Sequence, residues 1–307
     1  MSAPCFICLE PAPDHGEHHR RCVERLFGIR DVPALDLELA KLHTFALAMV
    51  GHTTLSGVQR KISLGLTTDR SRLQVAVERA RFILKPATQQ YPALPENELT
   101  TMTLAWRAAI DVPPFGLIRL KDGSLAYVVA RFDRPAAGGK LRQEDFCQLA
   151  EKRPIQKYEG SAELCAKLVR RYASEPGIEM VKLFRRMAFV WWTGNGDMHL
   201  KNFSLHTGED GRHRLSPAYD LVCTRLVIEG DRLALPVGGK KDRLARRHWL
   251  DYAASCGLAT RAAARVLDEL AAGLEPALEV VDRSPLPAGM RREYRKLLAE
   301  RAASLVA

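Results

Sequence analysis

The sequence predicts an α+β fold of two lobes, a β-rich N-lobe with one helix and a mostly helical C-lobe. Three observations carry this. Short alternating apolar runs, separated by turn residues, crowd into positions 61–132. Small and glycine residues at Ala136-Ala137-Gly138-Gly139-Lys140 then break the pattern and mark a flexible connection. Beyond them, apolar residues recur mostly at helical spacing. The expected units are a Cys- and His-rich lead-in over 1–30, an N-lobe over 31–135 and a C-lobe over 136–307.

Each element has a local reason. Leu35, Leu39, Leu42, Phe45, Ala46 and Met49 recur at helical spacing and predict a helix over 33–50. Strands follow over 61–66, 73–77 and 81–84, with Thr67-Thr68-Asp69-Arg70 as the first turn. A helix over 96–110 has Pro95 near its start. Strands over 115–120 and 125–132 join at Lys121-Asp122-Gly123-Ser124, where Asp-Gly signals a hairpin. Helices are expected over 143–151, 160–173, 177–193, 244–254, 259–273 and 288–305. One extended interruption lies near 195–221. A β-rich lobe, a short linker and a helical lobe are the layout of a protein-kinase-like fold.

Bulk properties exclude several classes. Apolar content of 47% and charged content of 27% are ordinary for a globular protein. No apolar run reaches the roughly 20 residues that cross a bilayer, and no secretion signal opens the chain. Seven cysteines, an odd number and mostly far apart, fit a reducing cytoplasm better than a disulfide framework. A net charge of +10 suits an anionic partner, such as ATP or a complex that contacts nucleic acid, or simply a solvated basic surface.

The interruption carries the chemistry. Asn195-Gly196-Asp197-Met198-His199-Leu200-Lys201-Asn202 is followed by Tyr219-Asp220. Phosphoryl transfer needs one carboxylate to orient the attacking hydroxyl, and hard oxygens such as Asn202 and Asp220 to hold Mg2+ against ATP phosphates. Asp197 fits the first role. His199 braces the loop or contacts phosphate, and Lys201 stands in the same string. Lys85 ends the apolar strand Phe82-Ile83-Leu84, where an ammonium reaches phosphates, with Glu98 as its ion-pair partner. Glu98 and Asn97 also read as an ordinary helix start. Arg131-Phe132-Asp133 stands where a hinge would line the adenine and ribose. Thr54-Leu55-Ser56-Gly57-Val58-Gln59 stands where a phosphate-covering loop would lie, although its single glycine equally suits a plain turn.

Together these residues resemble the HipA family of serine/threonine kinases, the toxins of HipBA-type toxin–antitoxin systems. The resemblance runs over about 34–255 and includes Gln143-Glu144-Asp145-Phe146 and Lys157-Tyr158-Glu159. It implies Asp197 as base, Asn202 and Asp220 as Mg2+ ligands, Lys85 on the ATP phosphates, and Phe132 and Asp133 at the nucleotide. It implies autophosphorylation in the loop, at Ser56 or Thr54. The substrate implied is an aminoacyl-tRNA synthetase, with antitoxins of the HipB and HipS kind as partners and DNA contacted only through them. The early position of the loop is similar to the short HipT kinases, which lack the N-terminal subdomain of HipA. Two other readings stay open: a nucleotide-binding co-repressor module, and a small-molecule or lipid kinase with a similar D-x-H-x-x-N string.

The lead-in holds Cys5-Phe6-Ile7-Cys8 and His19-Arg20-Arg21-Cys22. Cys5, Cys8, His19 and Cys22 have the types and spacing of a structural Zn2+ site. A metal-free segment with reduced thiols is the other reading of the same residues.

Overall fold

The structure, a computed structural model, describes residues 3–12, 16–35, 61–76, 80–135 and 138–307. The helix expected over 33–50 lies outside them beyond residue 35.

Five short strands build one antiparallel sheet: β1 Ile62–Leu66, β2 Leu73–Val75, β3 Phe82–Pro86, β4 Phe115–Arg119 and β5 Leu125–Ala130. Their order is β2-β1-β3-β5-β4. Gly123, at a φ of 82°, closes the β4–β5 turn. Strand alternation then sorts the side chains. Ile62, Leu64, Phe82, Leu84, Ile118, Ala126 and Val128 face outward onto helix α1 (Arg20–Phe27) and the Cys5–Cys8 loop. Phe115, Leu117, Tyr127 and Val129 face inward onto helix α2 (Leu94–Arg107). Burying such a side chain contributes about 1.5–3 kcal/mol, so a one-residue slip would forfeit both faces. Lys85 pairs with Tyr127 across β3 and β5 and therefore shares the inner face.

Beyond residue 138 the fold is mainly helical. Helices α4 (Ala162–Tyr172), α5 (Pro176–Trp192), α6 (Arg246–Ser255), α7 (Thr260–Ala272), α8 (Leu274–Arg283) and α9 (Ala288–Val306) pack around an aromatic core. Phe184, Trp191, Trp249 and Tyr252 meet there at ring separations near 6 Å. No helix among the described residues is long and apolar enough to cross a membrane.

Two expectations need correction. Residues 143–151 are not one helix. Gln143–Asp145 is strand β6, and only Phe146–Leu149 is helical (α3), started by the Asp145 capping box. Strand β6 pairs with β7 (Ser204–Thr207), which pairs with β8 (His213–Leu215), so a small sheet frames the far side of the interruption. Helix α8 was not expected at all. Gly273 ends α7, and Pro276 falls in the first turn of the next helix, where its missing N–H costs nothing.

Candidate active site

Helix α5 delivers the Asp197 loop. Gly194 closes α5 at a φ of 74°, and a Cβ there would lie 2.6 Å from Leu297. Gly196 is equally constrained, because a Cβ would meet the Asp231 carboxylate at 2.1 Å. The loop then ties itself together. Asn195 Oδ1 accepts the Asp197 N–H at 2.9 Å. The Asp197 carbonyl accepts the His199 N–H at 2.8 Å and the Asn202 amide nitrogen at 3.0 Å. That bond takes the Asn202 Nδ2 and leaves Oδ1 as a ligand atom. Leu200 N–H donates to the carbonyl of buried Lys157 at 3.1 Å, and the Tyr158 hydroxyl donates to Asp197 Oδ1 at 2.5 Å.

A second loop delivers Asp220 in a left-handed conformation, φ 57°, which Asp tolerates better than most residues. Buried Asn97 of α2 holds this loop from across the cleft. Its Nδ2 donates to the Cys223 carbonyl and its Oδ1 accepts the Cys223 N–H, both at 2.9 Å. Asn97 is thus no ordinary helix-start residue.

The two lobes meet at Asp220. Buried Lys85 donates to one of its oxygens and also to Glu98 of α2. Lys61 donates to the other oxygen at 2.6 Å. Lys85 also lies 5.4 Å from the Tyr127 ring. Burial alone would raise Asp220, but Lys61 and Lys85 outweigh it and hold the carboxylate far below its usual range. Burial would discharge Lys85, yet Asp220 and Glu98 keep it charged. Burial pushes Glu98 up to about 7, against the pull of Lys85.

Asp197 is different. Burial raises its pKa, and the Tyr158 hydrogen bond and Lys157 only partly oppose this. Burial, with Lys157 nearby, drives His199 down to about 3, so its imidazole is neutral. Neither ring nitrogen has a hydrogen-bond partner among the described residues. The ring packs edge-on against Tyr158 at 5.1 Å.

A cavity of about 350 Å³ lies between the lobes. Lys61, Lys85, Glu98, His199, Lys201, Asn202 and Asp220 line its polar part; Ile83, Val129, Ala130, Phe132 and Tyr219 line its apolar part. Phe132 stacks on Tyr219 at 5.8 Å. Arg131 holds Asp133 with two hydrogen bonds, Nε to Oδ1 at 2.9 Å and Nη2 to Oδ2 at 2.7 Å. An apolar slot beside a row of ammonium groups suits a flat base attached to phosphates.

Thr54, Ser56, Gly57 and Gln59 lie outside the described residues. Cys5, Cys8, His19 and Cys22 converge with one another, away from the cleft. Sequence reasoning passed over Lys61, Tyr158 and Asn97 as site residues. Tyr158 stood in the quoted Lys157-Tyr158-Glu159 string, but its target lies 39 positions on.

The fold and cleft define the class: a two-lobed, protein-kinase-like α+β architecture. Within it, the chain belongs to the HipA-like C-terminal domain family, whose model matches residues 53–278. It is 33% identical over 217 residues to the Sinorhizobium fredii protein named "Putative kinase Y4mE", covering 67% of this chain and 51% of that protein. It is 28% identical over 206 residues to a Haemophilus influenzae "Putative kinase", covering 62% of this chain and 59% of that one. The chain thus spans about half the length of these relatives. Its fold is similar to HipA in a toxin–antitoxin complex of HipA, HipB and operator DNA from Shewanella oneidensis, with a TM-score of 0.70 and 22% identity. That match covers 81% of this chain and 64% of HipA. It is also similar to the Helicobacter pylori proinflammatory kinase CtkA, with a TM-score of 0.56 and 12% identity over 84% of this chain and 90% of CtkA.

Proposed function

We propose that this chain is an ATP- and Mg2+-dependent serine/threonine protein kinase and the toxin of a toxin–antitoxin pair. One observation carries the reading: an ionised Asp220 shares a cleft with Asn202 and a Lys85–Glu98 pair, and Asn202 is hydrogen-bonded to the backbone of half-buried Asp197. Residues 31–135 form its N-lobe, 136–307 its C-lobe and 1–30 an N-terminal segment.

The donor set fits Mg2+, since Asp220 is held anionic and the Asn202 oxygen is a hard neutral ligand. Bound there, the metal supplies neutralisation of phosphate charge. The protein does the rest. Lys85 and Lys61, parked on Asp220 in this structure, bind phosphate oxygens. Phe132 and Tyr219 cover the base. Asp133 and Arg131 close its outer edge. Asp197 accepts the proton of the attacking hydroxyl, and Tyr158 holds that carboxylate in place. Neutral His199 offers a ring N–H to a phosphate oxygen without adding charge. Lys201 lines the same wall.

The relatives named as kinases and the HipA–HipB–DNA neighbour support a toxin acting with an antitoxin of the HipB or HipS kind, which would carry it to DNA. An aminoacyl-tRNA synthetase is the proposed protein substrate, and Ser56, with Thr54 beside it, the site of self-modification.

The test is incubation of the purified chain and its Asp197→Asn variant with labelled ATP, Mg2+ and cell lysate. The wild type is expected to label itself at Ser56 or Thr54 and to label a lysate protein on serine or threonine; the variant does neither. Equal labelling by both removes Asp197 as the base. A labelled metabolite or lipid, with no labelled protein, transfers the reading to small-molecule kinases. Nucleotide binding without transfer leaves a co-repressor module.

A further inference from the structure

The cysteine-rich lead-in forms a built site of its own. Cys5, Cys8 and Cys22 are buried, and their sulfurs and one nitrogen of His19 all lie within 4.8 Å of one another. His19 Nδ1 stands 3.4 Å from Cys8 Sγ and 3.9 Å from Cys22 Sγ. With Zn–S near 2.3 Å and Zn–N near 2.0 Å, a tetrahedral site needs ligand separations of roughly 3.5–3.8 Å. The other ring nitrogen, Nε2, lies 2.8 Å from the Pro11 carbonyl. A carbonyl only accepts, so Nε2 carries the proton and Nδ1 turns its lone pair toward the sulfurs. The His19 N–H points at Cys5 Sγ at 3.4 Å, a donor suited to a thiolate.

The backbone is arranged for the same end. Cys5 N–H donates to the Glu10 carbonyl at 2.8 Å and Leu9 N–H to the Cys5 carbonyl at 2.9 Å, which curls the Cys5–Cys8 loop into a knuckle. Leu9 completes it at a φ of 59°. His19 caps α1, and Cys22 stands in its first turn, so both ligands leave one helix end on the same side.

We propose that Cys5, Cys8, Cys22 and His19 Nδ1 bind one structural Zn2+, which fastens the knuckle to the outer face of the N-lobe sheet and to the C-lobe. The knuckle touches both. Leu117 N–H of edge strand β4 donates to the Phe6 carbonyl at 2.8 Å, and the His18 ring bonds the Leu117 carbonyl at 2.9 Å. Gly116 permits this approach, since a Cβ there would lie 2.6 Å from Ile7. Glu10 then bridges the lobes, taking Arg107 of α2 on one oxygen and Arg283 of α8 on the other, the latter at 2.7 Å. On binding, thiol protons go to solvent and no electron is transferred. The three buried sulfurs make this a closed structural site rather than a reactive one.

The test uses the full chain and does not depend on kinase activity. Native mass spectrometry and elemental analysis of wild type purified without chelator should give one zinc per chain. Cobalt exchange should give the visible bands and thiolate charge-transfer absorption of a thiolate-rich tetrahedral site. Cys8→Ser with Cys22→Ser should carry no zinc, whereas His19→Cys should retain it. A strong chelator should lower the melting temperature of wild type. Wild type without metal or cobalt spectrum overturns the proposal, even where the serine variants fail to fold. So does zinc retained by a folded Cys8→Ser/Cys22→Ser chain, or a disulfide among the three cysteines.

Discussion

The two carboxylate loops that meet in the cleft have opposite electrostatics. Asp220 sits between Lys61 and Lys85 and stays anionic at any working pH. Asp197 has a tyrosine hydroxyl on one oxygen and no lysine bonded to it among the described residues, and burial pushes it upward. Environments that drive two neighbouring carboxylates apart assign their roles: a permanent anion holds a cation, and a raised one exchanges a proton. The same contrast explains the lysines. They neutralise Asp220, so its charge is not buried alone.

The largest expected effect tests that division directly. Asp197→Asn should lower kcat by about 10²–10⁴-fold, the span a general base contributes. Asp220→Asn should be as inactive, but for a different reason. Nucleotide titration with and without Mg2+ separates them: the metal should still tighten binding to the Asp197 variant and should do nothing for the Asp220 variant. If both variants respond alike to Mg2+, the contrast between the loops fails.

Removing a lysine is next. Lys85→Met leaves Glu98 buried without a cation, and breaking such a pair costs about 3–5 kcal/mol. Glu98 can escape by protonation. Its folded pKa is already raised to about 7, and without Lys85 it rises further while the unfolded value stays near 4.5. A raised carboxylate is a stability loss that grows as pH climbs above the unfolded value. Wild type, with Glu98 at about 7, shares that loss up to about pH 7, so denaturant midpoints of the variant should fall behind wild type progressively only above about pH 7. A deficit that is the same at every pH would show that Glu98 is not the group responsible.

Much of this cleft was legible in the sequence, and the reason is physical. Asp197, His199 and Asn202 stand in one short string, because a single loop after α5 carries the proposed base and the proposed metal ligand together. Lys85 and Glu98 come from neighbouring elements, so strand and helix patterning place them. What escaped reading depends on contacts across the fold. Tyr158 and Lys61 gain meaning only when distant loops close on them. Strand β6 escaped because Gln143-Glu144-Asp145 is polar; it pairs at the rim of a small sheet rather than entering a core. Helix α8 escaped because Gly273 and Pro276 look like a stop and here begin a new helix.

Asn97 belongs to the same class and offers a smaller, purely structural effect. Its amide satisfies both the N–H and the carbonyl of buried Cys223, so it locks α2 to the Asp220 loop. Asn97→Leu should cost about 2–4 kcal/mol, since two buried backbone groups lose their partners at about 1–3 kcal/mol each and the cost is shared by local adjustment. Chemical denaturation measures it. Hydrogen exchange at the Cys223 amide should accelerate by more than at amides in α6 or α7; uniform acceleration would mean that the clamp is not local.

The smallest effect is the sharpest test of Asp197. Tyr158 donates to its Oδ1, and that bond lowers the pKa that burial raises. In wild type the base is protonated below its pKa, so kcat/KM should fall on the acid side, with the midpoint above the ordinary value near 3.9. Tyr158→Phe keeps the ring against His199 and removes the hydroxyl. The remaining burial then acts unopposed by that bond, and the limb must move to higher pH. A hydrogen bond to a charged group is worth about 1.5–3 kcal/mol, or roughly one to two pH units; partial exposure of Tyr158 puts the shift at the lower end, about one unit. At pH values above both limbs the two proteins should differ by only a few-fold. A residue that merely shaped the loop would lower that plateau and leave the limb in place, and a limb moving toward acid would mean that the titrating carboxylate is not Asp197.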